Sequence, residues 1–153
     1  MAQDQYPTEP SLMALDQAEF IKTRRGEFHI VLHFRDQDRI GCLLDEIEVK
    51  PTNDTRLLLD PFLAANTLSH LDGGMVVVED QGPGQRAVLR SALQETIGSS
   101  VHFFEIVIDA RDGLVLRRHV HDRSSGKRGI VPFSMTRETL DRLVSDLKKL
   151  LRG

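Results

Sequence analysis

The feature that most narrows what this chain can fold into is a pair of alternating apolar runs joined by Arg111-Asp112-Gly113. Val101–Ala110 and Leu114–His121 both read as strands, and an Asp-Gly step supplies the positive-φ turn that matches strand twist in a tight hairpin. An antiparallel sheet is therefore built into the sequence. The same period of two recurs upstream, where Phe28, Ile30, Leu32 and Phe34 alternate with His29, Val31 and His33, as a half-buried strand requires. Arg35–Asp38 reads as a polar turn, Ile40–Val49 as a second strand, Pro51–Asp54 as a turn and Arg56–Leu59 as a third strand. Met75–Val78 and Gly129–Phe133 are short apolar strands, and Gly82-Pro83-Gly84 forces a turn between elements.

Four segments show helical spacing. Ser11 is placed to cap a helix through about Lys22. Asp60 followed by Pro61 is an N-cap acceptor with proline at the first helical position, starting a helix to about Leu71 that stops at Asp72-Gly73-Gly74. Val88, Leu89, Ala92, Leu93 and Ile97 predict a helix over 85–97, ended by Gly98. Thr136 caps the last helix, in which Leu140, Leu143, Val144, Leu147, Leu150 and Leu151 form one apolar stripe. Lys148, Lys149 and Arg152 lie in its last turns, where they suit the helix dipole.

These elements define an α+β class, a largely antiparallel sheet with packing helices. Residues 1–10 read as a flexible tail and 11–153 as a single globular domain, a size that buries about two-thirds of its unfolded surface. Within it, 28–71 and 103–147 follow one script: a strand opening on Phe, an Arg-Asp turn, an apolar second strand, a polar loop, a short strand and a helix. A β-β-β-α unit leaves one sheet face bare. Tandem duplication with pseudo-two-fold symmetry would cover it; chance similarity is the alternative reading.

Hydrophobic content of 40% with 28% charged residues argues against wholesale disorder. The single Cys42 excludes an internal disulfide framework and fits a reducing compartment. No run of unbroken apolar residues exceeds four, so no membrane span and no membrane partner are expected. The start of the chain lacks a secretion-signal pattern, and a cytoplasmic protein is expected. Charge is unevenly distributed: residues 1–110 carry a net −9 and residues 111–153 a net +6. That asymmetry points either to a polyanionic partner, or to attraction between the two parts within the fold or between copies.

Phe103–Ile108, Gly113–Arg118, Gly126–Ile130 and Thr136–Leu143 together resemble the positive-cofactor-type transcriptional coactivators, and more loosely the Whirly and Pur-alpha β-sheet-plus-helix units. The resemblance spans about 50 residues, carried by the strand ending Leu116-Arg117, the Gly-Lys-Arg-Gly-Ile step at 126–130 and the closing helix. It implies a curved antiparallel sheet that binds single-stranded nucleic acid and pairs two units. The closing helix has Leu140 where the family pattern has an aromatic, and the chain has no Trp and only Tyr6. Base stacking on aromatic rings is thus limited, and binding would rest on phosphate contacts and depend strongly on salt.

Candidate contacts are Arg117, Arg118, His119, Arg123, Lys127 and Arg128, with His119 adding a pH-dependent one. Alternation puts Arg117, His119 and His121 on one face and Arg118 on the other. His119-X-His121 has the spacing of a strand metal site but lacks a third ligand, and His29 and His33 share a face in the same way. Glu46 and Glu48 read as a solvated strand edge, and Cys42 as a structural thiol. Gly82-Pro83-Gly84 lacks the rest of a phosphate loop. No catalytic constellation, metal site or cofactor motif is assigned. The reading is a non-enzymatic binding module, with a protein-interaction adaptor as the alternative.

Overall fold

A computed structural model describes residues 16–153. Among the described residues, ten strands form one sheet in which every pairing is antiparallel, accompanied by two helices, confirming the α+β class. In chain order the strands are β1 (Gln17–Thr23), β2 (Gly26–Gln37), β3 (Gly41–Thr52), β4 (Met75–Asp80), β5 (Ala87–Ser91), β6 (Glu95–Ile97), β7 (Ser100–Asp109), β8 (Gly113–Asp122), β9 (Arg128–Val131) and β10 (Phe133–Thr136). The helices are α1 (Pro61–Thr67), between β3 and β4, and α2 (Arg137–Arg152), at the end of the chain.

The main path across the sheet is β1-β2-β3-β8-β7-β5-β4. Two hairpins, β2–β3 and β7–β8, meet through their second strands, where Ile47–Val49 pairs with Leu116–Leu114. Beyond that short contact β3 and β8 each take a different neighbour. β9 pairs with β8 and β10 with β3, so one bent segment serves both strands. Pro132, which has no N–H to give either ladder, sits between β9 and β10.

One face of the sheet is the core. Phe28, Ile30, Leu44, Ile47, Val49, Leu89, Ile106, Leu114 and Leu116 are all buried and cluster with Leu140, Leu143, Leu147, Leu150 and Leu151 of α2 and Ala64 of α1. The apolar stripe of α2 is thus the lid on the inner sheet face. Its start is fixed as expected, the Thr136 hydroxyl accepting from the Thr139 N–H at 3.1 Å. In α1 the Asp60 carboxylate accepts from the Phe62 N–H at 2.9 Å.

Several sequence expectations fail, each for a tertiary reason. The segment read as a helix over 85–97 is β5 and β6 with a turn between them. Its residues 87–89 are all buried, and β5 is paired with β4 on one edge and β7 on the other; a run of buried residues in a strand shows no alternation. Residues 17–22 of the segment read as a helix form β1, paired along its length with β2; the beginning of that segment and the tail at 1–10 lie outside the described residues. The strand read at 56–59 joins no sheet, although Leu57 N–H donates to the Ala110 carbonyl at 2.8 Å. Pro51 and Thr52 belong to β3, and the turn falls on Asn53 and Asp54, both at positive φ. The helix from Asp60 ends at Thr67 rather than near Leu71, and the strand read at 129–133 is divided between β9 and β10. The duplication stays a reading of the sequence: both halves hold a hairpin and a helix, but the first lacks a third strand and α1 has 7 residues against 16 in α2.

Candidate functional site

The outer sheet face carries a row of side chains from five neighbouring strands. Arg90 of β5 faces Glu105 of β7, Glu105 faces Arg117 of β8, and Glu46 of β3 faces His33 of β2. Because side chains two apart share a face, alternation along each strand puts all five on the same side. Charges of opposite sign meet at each step. Arg90 Nε donates to Glu105 Oε2 at 2.9 Å and Arg117 Nε to Glu46 Oε1 at 2.7 Å. His33 continues the row, with Nε2 2.5 Å from Glu48 Oε1 and Nδ1 3.0 Å from Asp16 Oδ2.

The electrostatics follow from these neighbours. Burial opposes a charge on His33, but its bonds to Glu48 and Asp16 outweigh that and raise its pKa. Glu46 is partly buried, which alone would raise its pKa; the Arg117 guanidinium lowers it below the usual carboxylate range. His119 is pushed down by burial, with Arg117 and Arg90 adding to the effect against Glu105, which lies 3.4 Å from Nε2.

The six residues read from the sequence as polyanion contacts divide into three groups. Arg117 is on the outer face but paired with Glu46 of the acidic first part of the chain. Arg118 projects from the opposite face: its guanidinium lies 4.8 Å from the Phe104 ring centroid and pairs with Asp72 at 3.2 Å and Glu95 at 2.8 Å. Lys148 similarly reaches Glu19 at 2.7 Å. Much of the charge asymmetry is therefore satisfied within the fold, and the six do not form one surface.

His119 and Arg128 line one hollow, and Arg123 and Lys127 stand on the loop that joins β8 to β9. His119 stacks on Phe103 with ring centroids 5.7 Å apart and planes 11° apart, and the Arg90 guanidinium lies 5.3 Å from the same Phe103 ring. β9 places the half-exposed Ile130 opposite His119, and Arg128 opposite His121. These groups and Glu105 line a hollow of about 360 Å³. Arg123, Lys127 and Arg128 are exposed and make no ion pair among the described residues.

The loop that presents them is built on Asp122. Its carboxylate accepts from the Ser99 hydroxyl at 2.7 Å, the Ser124 hydroxyl at 2.9 Å, the Ser124 N–H at 3.0 Å and the Ser125 hydroxyl at 3.0 Å. Those donors hold it far below the usual carboxylate range, the Ser99 bond contributing most. Such a local network is the reason Asp and Ser concentrate in turns. It was missed because Ser99 comes from the turn between β6 and β7.

At the other end of the row, His33, Glu46 and Glu48 bring one ligand atom each within 4.8 Å of one another. Glu46 and Glu48, read as a solvated edge, instead stand on a strand flanked on both sides, against a histidine of the neighbouring strand. The available signal was the pair of same-face series, His29/His33 and Glu46/Glu48, on consecutive strands. Among the described residues His119 and His121 belong to no such group.

No family model, curated protein or solved structure matches the chain. Among the described residues, no helix is long and apolar enough to cross a membrane.

Proposed function

We propose that this chain is a non-enzymatic binding module that takes a polyanion, specifically single-stranded nucleic acid, on the outer sheet face between β5 and β9. One observation carries the reading: the Phe103–His119 stack lies beside Arg90 and Arg128, and the hydrogen-bonded loop between β8 and β9 bears Arg123 and Lys127. A stacked ring flanked by cations is the combination that suits a single strand, where bases stack and phosphates meet positive side chains. The resemblance of 103–147 to single-strand-binding units supports the same face. Arg117 and Arg118 drop out of the contact set, and Arg90 and Phe103 replace them.

The test is fluorescence polarisation with short single-stranded DNA and RNA across a salt series. Three phosphate contacts give a log–log slope of about −2 for a single strand. Charge reversal of Lys127 and Arg128 is expected to abolish binding, while Arg142→Glu on the exposed side of α2 leaves it unchanged. Absence of binding at about 50 mM salt refutes the proposal.

A second reading, a protein partner or a second copy of the chain, rests on a different observation. β1 and β4 are the two ends of the main sheet path, and each presents a half-exposed apolar residue, Phe20 and Val76. Open strand edges are templates for pairing with another chain. Light scattering over the micromolar range tests self-association; a monomer throughout removes that form of it.

A further inference from the structure

We infer that His33, Glu46 and Glu48 form a binding site for a divalent transition-metal ion of the zinc type on the outer face of β2 and β3. His33 and Glu46 are direct cross-strand partners, and Glu48 follows two residues along β3, so the fold aims all three side chains at one volume. His33 Nε2 lies 2.5 Å from Glu48 Oε1 and 3.7 Å from Glu46 Oε2. Tetrahedral ligands about 2.0–2.2 Å from zinc stand roughly 3.3 Å apart. Admitting an ion thus requires Glu48 to withdraw and Glu46 to approach by less than about 1 Å, movements within reach of their terminal torsions.

What lifts this trio above a group of exposed acids is an imidazole donor and the partners behind it. The side chains of His33, Glu46 and Glu48 are only 24%, 21% and 15% exposed, so an ion there would be substantially shielded from water. Asp16 Oδ2 sits 3.0 Å from His33 Nδ1. A carboxylate on that nitrogen fixes the tautomer that leaves Nε2 free to ligate, the outer-shell arrangement behind most metal-binding histidines. Arg117 holds Glu46 by Oε1, leaving Oε2 as the oxygen nearer His33. Among the described residues, Lys50 is the cation paired with Glu48, half exposed and 3.7 Å from its Oε1, and it must yield to the ion.

One nitrogen and two oxygens suit a borderline ion better than a soft one, and three protein ligands leave at least one position open to water or a partner's side chain. The site lies across β3 and β8 from the proposed polyanion face and does not depend on that proposal.

The experiment uses the untagged full chain, stripped with chelator and titrated with ZnCl2 by calorimetry, with ring-nitrogen NMR following the histidines. One ion per chain is expected, with the His33 Nε2 resonance moving and those of His119 and His121 still. His33→Ala should weaken binding at least about 100-fold, and Asp16→Asn, which keeps all three ligands intact, roughly 10- to 100-fold. The wild-type NMR titration reads the site even where a variant fails to fold. Absence of saturable binding up to about 100 µM free zinc, a His33 resonance that does not move, or affinity that survives His33→Ala each overturns the inference.

Discussion

Ser91→Ala isolates one hydrogen bond that joins two parts of the sheet. On the side of β7 away from β8, backbone pairing runs from Ile108 to Glu105 against Ala87–Arg90, then resumes at His102 against Glu95. Phe104 falls in the interval, and its N–H donates to the Ser91 hydroxyl at 2.9 Å in a buried setting. Ser91 is 4% exposed, so water cannot easily replace its oxygen. Alanine removes the acceptor and leaves the Phe104 N–H unsatisfied, which costs about 1–3 kcal/mol. At roughly 2–4 °C per kcal/mol for a chain of this length, Tm should fall by several degrees. Urea unfolding should show a lower midpoint with an unchanged slope, and hydrogen exchange should show the Phe104 amide losing protection. Wild-type stability together with a still-protected Phe104 amide would refute the reasoning, because it would mean that this N–H has another partner.

Two further expectations follow from specific contacts. Gly113 has φ +96°, and a Cβ there would stand 1.9 Å from the Val49 carbonyl oxygen. Gly113→Ala therefore adds left-handed strain of about 1–2 kcal/mol to a clash with the β3 backbone. A total near the top of the point-mutant range, about 4 kcal/mol or more, is expected; denaturant unfolding measures it, and a loss under about 1 kcal/mol contradicts this account of the hairpin. His119 has its folded pKa lowered by burial and by Arg117 and Arg90. Between that value and the unfolded value of about 6.5 the unfolded chain binds more protons. Its contribution to stability is complete above that unfolded value and lost as pH falls toward the folded pKa. NMR titration of the His119 ring should give a midpoint below that of an unstructured histidine, and a midpoint above it contradicts the burial described.

What the sequence determined by itself was every element whose signal is local. The Asp-Gly step and its flanking alternation specify the β7–β8 hairpin. The Asp60-Pro61 and Thr136 caps start α1 and α2 where the structure has them. The leucine stripe at 140–151 identifies the face of α2 that becomes buried. These signals need only a turn's own φ preference, a capping side chain or a helical period, all written within a few residues.

Tertiary structure decided the rest, because a strand is completed by partners distant in sequence. Residues 85–97 satisfy helical spacing, yet β4 and β7 supply hydrogen bonds on both sides of 87–91 and make it a strand. The fate of the charges was decided in the same way. Arg117 and Arg118 are adjacent in sequence, but one finds Glu46 and the other Asp72 and Glu95, carboxylates that pairing and chain reversal bring up from earlier in the chain. Likewise, only the β2–β3 register sets His33 against Glu46 and Glu48. Alternation states which side chains share a strand face; which strand lies alongside is a property of the assembled sheet.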